Sequence, residues 1–350
     1  MAAVKLGIIG CGKVVRLLHL PALRRVKGAR VTAVADPVEK ARLEAARLAG
    51  RATVFADWRE LLDRGDCDAV MICTPTVHHA ECATQALAAG KHVYVEKPLA
   101  STLLQAQAVV QTWESAGLLG MIGFNYRHHP LFSRLHEVVN SGQLGKVIGA
   151  RSLFTSSGDW VDEWRTKRSQ GGGVLLDLAA HHIDLVHYVL GQPVAGVSAH
   201  VASERSEQDT AGVQMTLAEG AIVQCFVSLY GTDANRFEVF GESARATVDY
   251  LAGTLEIVPR GRRRLMARIV AKLAREGTRL THALKSGYDP SYEVALSRFV
   301  NGVANQFPNP KPDLMDGLRV LQVIDAAEKS AATGRTCSVE VIGTSAPVAR

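Results

Sequence analysis

A strand that runs into a glycine turn and a helix, followed by further strands and helices in strict alternation, is the feature that most constrains the fold of this chain. Apolar runs of strand length at Leu6–Gly10, Val31–Ala35, Ala69–Cys73 and His92–Val95 are separated by stretches with helical spacing. Parallel neighbours need a crossover of a dozen or more residues, and helices supply it. The alternation therefore predicts a doubly wound parallel sheet covered on both faces. Another apolar piece, Leu118–Gly123, is placed to close that sheet.

Beyond Phe124 the pattern changes. A helix is expected over about Pro130–Ser141 and a strand over Val147–Phe154, then a polar loop with Trp160 and Trp164, a Gly171-Gly172-Gly173 turn and an apolar helix over Val174–Leu190. Runs at Val194–Ala202, Gly212–Leu217, Ile222–Tyr230, Arg236–Phe240 and Ala246–Tyr250 are spaced as in an antiparallel sheet, and helices return at Ser291–Asn305 and Asp313–Ala332. At 350 residues, 47% hydrophobic and 21% charged, the chain is globular and too long for one core. We expect an α/β domain over 1–123 and an α+β domain with a large, mostly antiparallel open sheet over 124–350.

Charge and cysteine usage narrow the function classes. The net charge is +6, yet nine Lys or Arg and a single acid lie between Arg260 and Lys285, so the rest of the chain is slightly acidic and no nucleic-acid partner is expected. This stretch reads as a basic amphipathic helical insertion at about 259–287, with Leu265, Ile269, Leu273, Leu280 and Leu284 as its apolar stripe. Three readings of it stay open: a packed helix with a solvated cationic face, a lid that binds a phosphate, or a peripheral contact with anionic membrane. The six cysteines form no C-x-x-C pair, so reduced thiols, no disulfide, no bound metal and a cytoplasmic location are expected. Neither a cleavable leader nor an apolar run long enough to span a membrane is visible.

Gly10-Cys11-Gly12 follows the first strand and opens a helix, the context a dinucleotide-binding (Rossmann) turn requires. The glycines let the backbone approach a pyrophosphate and the helix start offers partial positive charge. Lys13 and Val14 continue this turn, and Val15 occupies the third glycine position. Asp36, after the second strand, is placed to accept hydrogen bonds from ribose hydroxyls, which favours NAD over NADP. The plainer alternative is a simple turn with Asp36 starting a helix before Pro37.

Thr74-Pro75 and Glu96-Lys97-Pro98 end two further strands at the carboxyl edge, where such sheets bind ligands. Lys97 there can stabilise a developing alkoxide, or it can be a surface lysine. In the helix after Gly173, Asp177, His181 and Asp184 recur at spacings of four and three, which places them on one face. A histidine near a helix start is biased toward neutral imidazole, the form a general base needs. Asp177 can orient it or hold a substrate hydroxyl; for an isolated D-x-x-x-H the plainer alternative, a hydrogen-bonded buried histidine with a carboxylate as dipole partner near the helix start, is favoured.

Together the elements GIIGCG with HLPAL, AVADP, DAVMICTPTVHHAECATQALAAGKHVYVEKPLA, GFNYRHHP, GGGVLLDLAAHHIDLVHYVLG and DGLRVLQVIDAAEKSAATGR resemble the glucose-fructose oxidoreductase and inositol dehydrogenase (Gfo/Idh/MocA) family over nearly the whole chain. The resemblance implies a catalytic set of Lys97, Asp177 and His181 and a cofactor set of Gly10, Gly12, Lys13, Val14, Asp36, Thr74, Pro75, His79, Glu96 and Lys97. It also implies a cis Lys97–Pro98 bond, Asn125 and Arg127 near the substrate, and a homodimer or homotetramer. The implied reaction is hydride transfer between NAD and a secondary hydroxyl or keto carbon of a sugar, cyclitol or nucleotide sugar. The alternatives are an NAD-dependent glycosidase or epimerase using transient oxidation, and a non-catalytic NAD-sensing protein. Val15 replaces a small residue of the family pattern, and Ala179 stands where glycine is common. His78, His128, His129, His182 and His187 are expected to be surface or structural residues.

Overall fold

The structure is a computed structural model and describes residues 3–159, 161–261, 289–305 and 309–340. Six parallel strands, β1 (Val4–Ile9), β2 (Ala29–Ala35), β3 (Thr53–Phe55), β4 (Ala69–Ile72), β5 (His92–Val95) and β6 (Gly120–Ile122), form the first sheet in the order β3-β2-β1-β4-β5-β6. The order reverses between β1 and β4. The connections that follow these two strands leave in opposite directions and open a crevice beyond their carboxyl ends, where doubly wound sheets bind ligands. Strand β3 escapes sequence reading because Thr53 and Val54 on this sheet edge are exposed and leave no apolar signature.

Period-two side chains sort the strands' residues onto two faces. Ile9, Val70, Ile72, Val93 and Val95 pack on the side of α4 (His79–Ala88) and α5 (Leu103–Ala116), whereas Leu6, Ile8, Met71 and Tyr94 pack with α1 (Leu20–Leu23) and α2 (Glu39–Leu48). The second face is completed from far along the chain. Ala295, Leu296, Phe299 and Val300 of a helix over Pro290–Asn305 join its core.

The second sheet has eight strands: β7 (Val147–Thr155), β8 (Val194–Ala202), β9 (Thr210–Leu217), β10 (Ile222–Ser228), β11 (Ala234–Gly241), β12 (Ala244–Asp249), β13 (Thr254–Pro259) and β14 (Cys337–Ser338). Their order is β13-β12-β11-β7-β10-β9-β8-β14, antiparallel except for β7 beside β10. Strand β9 shows why one face is open: Ala211, Val213, Met215 and Leu217 are buried while the residues between them are exposed. Strands β13 and β14 lie outside the sequence expectation; each is an outer strand, partly exposed and short of an alternating pattern.

Helices α6 (Pro130–Asn140) and α7 (Ala180–Leu190), with the last helix over Leu314–Thr333, cover the other face. That last helix begins one residue later than expected because Asp313 is its cap: Asp313 and Asp316 exchange hydrogen bonds in a capping box, and Gly334 closes its end in the left-handed conformation. The basic stretch falls, from position 262 on, outside the described residues. Among the described residues no helix is long and apolar enough to cross a membrane.

Candidate active site

The glycine turn brings β1 against β4. At Gly10 φ is +89°, and a Cβ there would sit 2.7 Å from the backbone of Cys73 and Thr74, so only glycine fits. Gly12 borders open space, with nothing within 4 Å of where its Cβ would be. Val15 replaces the third glycine without displacing the turn: it is fully buried, and residues Val15–His19 form a wide π-helical turn before α1.

Asp36 faces this turn from the end of β2. One carboxylate oxygen accepts the Cys11 N–H at 2.7 Å and the other the Val38 N–H at 2.8 Å. Each oxygen keeps lone-pair capacity for a ribose hydroxyl. From Asp36, a cleft of about 750 Å³ runs past Pro37, Trp58 and Arg59, along Gly10, Gly12, Lys13, Val14, Thr74 and Pro75, to Glu96, Lys97, Asp177 and His181. Trp58 and Arg59, whose guanidinium lies 4.3 Å above the indole, follow β3 and were not legible in the sequence because that strand was not. The residues present fit a dinucleotide: the cleft is long, its middle has no side chain at Gly12, and Thr74 Oγ1 is buried without a protein partner.

Two turns at the edges of β4 and β5 are tied together by His79, whose Nε2 lies 2.9 Å from the Thr74 carbonyl and Nδ1 2.7 Å from that of Pro98. His79 borders the cleft, but both ring nitrogens face backbone carbonyls, and its single N–H in the neutral form that burial favours can donate to one of them. The Lys97–Pro98 peptide is cis. Glu96 is likewise taken up by the protein: His19 Nε2 sits 2.7 Å from one oxygen and the Lys97 N–H donates to the other. Burial raises the Glu96 pKa, but the bond and charge of His19 outweigh it and hold the carboxyl below its usual range. His19 belongs to the HLPAL element, whose role the sequence did not disclose.

Lys97 crosses from the first sheet to Asp177, four residues after Gly173. Its ammonium donates to the Asp177 carbonyl at 2.7 Å and to Asp177 Oδ1 at 2.9 Å. The same oxygen accepts Arg165 Nη1. Arg165 comes from a short turn, Glu163–Thr166, and was not singled out from the sequence because nothing in its spacing distinguishes it. Burial disfavours the Asp177 anion, but two cations, Arg165 first and then Lys97, overcome it and hold the carboxyl far below the ordinary range. Asp177 Oδ2 is buried and has no protein partner.

His181 stacks on Tyr126, ring centroids 4.6 Å apart, and its Nδ1 is buried without a hydrogen bond. Nε2 is the nitrogen left to meet a substrate. Burial, reinforced by the Lys97 charge, pulls its pKa well below the ordinary 6.5, so the imidazole is neutral at physiological pH. Phe154, Trp164, Leu178 and Tyr292 wall this end with apolar surface.

The expected single face of Asp177, His181 and Asp184 divides in two. Residues Leu175–Ala179 form a π-helical turn ahead of α7, which alters the angular spacing; Asp177 and His181 enter the cleft, and Asp184 points away to Arg127. Ala179, in that turn, is fully buried. Arg127 and Asn125 do not line the cleft. Arg127 Nε lies 3.1 and 2.9 Å from the two Asp184 oxygens, its Nη2 lies 2.5 Å from Oδ1, and Asp316 is 3.5 Å away. Asn125 donates to Ser291 Oγ at 2.8 Å and is buried. The Asn125 amide nitrogen and the Arg127 Nε and Nη2 groups are thus directed to protein partners outside the cleft. Among the other histidines, His128, His129 and His182 are buried and His78 is exposed. Among the described residues no group of three potential ligands is placed to hold a metal ion.

Residues 4–124 match the model of an oxidoreductase family with an NAD-binding Rossmann fold, and residues 132–247 match the Gfo/Idh/MocA C-terminal domain. A myo-inositol 2-dehydrogenase of Thermotoga maritima is 28% identical over 97% of this chain and 100% of its own. A dTDP-3,4-didehydro-2,6-dideoxy-alpha-D-glucose 3-reductase of Actinomadura kijaniata is 30% identical over 69% of this chain and 73% of its own. The crystal structure of an oxidoreductase domain protein from Kribbella flavida superimposes with a TM-score of 0.84 at 26% identity, covering 97% of this chain and 100% of that one. The chain belongs to the Gfo/Idh/MocA family and is an NAD-binding oxidoreductase.

Proposed function

We propose that this protein moves hydride between NAD and a secondary carbinol or keto carbon of a sugar or cyclitol, with Lys97, Asp177 and His181 as its catalytic residues. The observation that carries the reading is the convergence of these groups. An ammonium from the edge of the first sheet lies 2.9 Å from a carboxylate that belongs to the second half of the chain, in one cleft with the glycine turn and Asp36. The names of the two relatives, an inositol dehydrogenase and a nucleotide-sugar reductase, supply the substrate class.

NAD, when bound, supplies the hydride acceptor. His181 Nε2 takes the hydroxyl proton, Lys97 donates a hydrogen bond to the same oxygen as negative charge develops, and Asp177 Oδ2 accepts a bond from a neighbouring hydroxyl. The aromatic walls exclude water and cover the C–H faces of a sugar ring. A panel of polyols, sugars and nucleotide sugars, followed by NADH absorbance, tests the reading. Accumulating NADH supports it; tight NAD binding without turnover of any member would leave a sensing protein, and product without NADH would indicate transient oxidation. On the open sheet face Ile222 and Phe226 are about half exposed, which supports assembly with a second copy.

Two further results are expected. Because His181 is already neutral, oxidation should keep its rate as pH falls from about 8 through 6.5 and decline only at more acid pH, where the base takes a proton. An acid limb centred at 6.5 or above, in kcat/KM measured across that range, would remove His181 as the base. Replacing Asp36 by Ala should lower the preference for NAD over NADP by roughly 10-fold or more, the scale of a charge-assisted hydrogen bond. Comparing kcat/KM for the two cofactors checks this, and a wild-type preference for NADP would contradict it.

A further inference from the structure

Lys13, Asp162, Arg165, Asp177 and Lys97 make a row of alternating charge that joins the glycine turn in the middle of the cleft to the Asp177 end. Lys13 Nζ lies 2.8 Å from Asp162 Oδ1, and Asp162 Oδ2 is 4.0 Å from Arg165 Nε. Arg165 Nη1 meets Asp177 Oδ1, which Lys97 also holds at 2.9 Å. The outer pair is open to water, with side chains 61% and 38% exposed; the inner one is enclosed, at 14% and 6%. Solvent weakens the first and leaves the second strong, so the row yields on the Asp162 side, at its exposed pair with Lys13 and its 4.0 Å approach to Arg165, before it yields at Asp177.

We propose that Arg165 is a positioning residue for Asp177, and that its hold depends on whether Lys13 keeps Asp162, so that filling the cofactor cleft frees the catalytic carboxylate for substrate. The proposal rests on reading Gly10–Lys13 as the pyrophosphate turn. Lys13 is the first side chain after Gly12, and a pyrophosphate offers it more negative charge than one carboxylate does. Once Lys13 turns to that charge, Asp162 is left to Arg165, which sits between two carboxylates and shifts toward the one that has lost its partner. Asp177 then keeps Lys97, and its second oxygen is no longer locked in place by two cations on the first.

The Asp162→Asn variant tests this with two readouts of opposite sign. NADH affinity, from the fluorescence of bound NADH, should rise about 2- to 5-fold, since Lys13 is no longer occupied by an exposed ion pair. With the best polyol of the panel above, kcat should fall about 3- to 30-fold, because Arg165 then stays on Asp177. A turn that merely supports the fold would lose both together. In a Lys13→Gln background the gain in NADH affinity should vanish. Arg165→Met should lower the polyol KM about 2- to 5-fold, because Asp177 then keeps Lys97 without a second cation; this variant decides the matter if Asp162→Asn does not fold, a raised KM overturning the proposal. Unchanged or weaker NADH binding in Asp162→Asn, or the same gain without Lys13, would also overturn it. Failure of the wild-type protein to bind NADH would sink the pyrophosphate reading itself, and the proposal with it.

Discussion

Replacement of His181 by alanine is expected to lower kcat by about 10²- to 10⁴-fold while NADH affinity stays within about threefold, since a positioned base acts on the reacting proton and not on the cofactor. Lys97→Met should produce a loss of similar size, because it removes the charge beside the developing alkoxide. The two losses should not add in the double variant, as both groups serve the same oxygen. Lys97→Met carries a second consequence: Asp177 keeps Arg165, so the carboxylate remains paired and the fold should survive. Steady-state rates on the best polyol, together with NADH fluorescence titrations, measure all of this. Turnover of His181→Ala near that of the wild type would place the base elsewhere.

The second large effect concerns stability. Arg127→Leu is expected to destabilise the protein by about 3–5 kcal/mol, the cost of leaving a buried partner uncompensated, with a clear fall in Tm. Arg127 and Asp184 are 9% and 1% exposed, so solvent does not replace the lost pairing. Burial already pushes the Asp184 carboxyl up to about 6 despite the Arg127 charge beside it. Without that charge the folded pKa rises further above the unfolded value. The native variant then binds a proton that the unfolded chain does not, so its stability falls as pH rises from about 4 through the raised folded pKa. The deficit against the wild type should therefore be smaller near pH 5 than near pH 8, as urea unfolding at the two pH values would register. If Arg127 instead contacted substrate, the variant would keep its Tm and raise KM.

These two residues show where reading a sequence stops. His181 and Asp177 were singled out because their four-residue spacing after a glycine turn places both on one helix face, and the family resemblance then gave that pair a role. Arg127 stands in an equally suggestive motif, but whether a guanidinium meets substrate or a buried carboxylate depends on what packs behind it. Arg165 had the converse problem. It occupies a polar loop with no periodicity, and only the fold carries that loop across to Asp177. His19 was hidden in the same way, since its partner Glu96 lies on another strand.

Local order along the chain was enough to specify the strand and helix succession and the glycine turn after the first strand, because each follows from spacing within a few residues; the proposed set of Lys97, Asp177 and His181 came from the family resemblance. Tertiary structure alone decided the short edge strands β3, β13 and β14, the return of the Pro290–Asn305 helix to the first sheet, and the split between Asp177 with His181 and Asp184. It also decided which charges meet. Pairing energies depend on distance and burial across elements that are far apart in the chain, and neither quantity exists until the chain has folded.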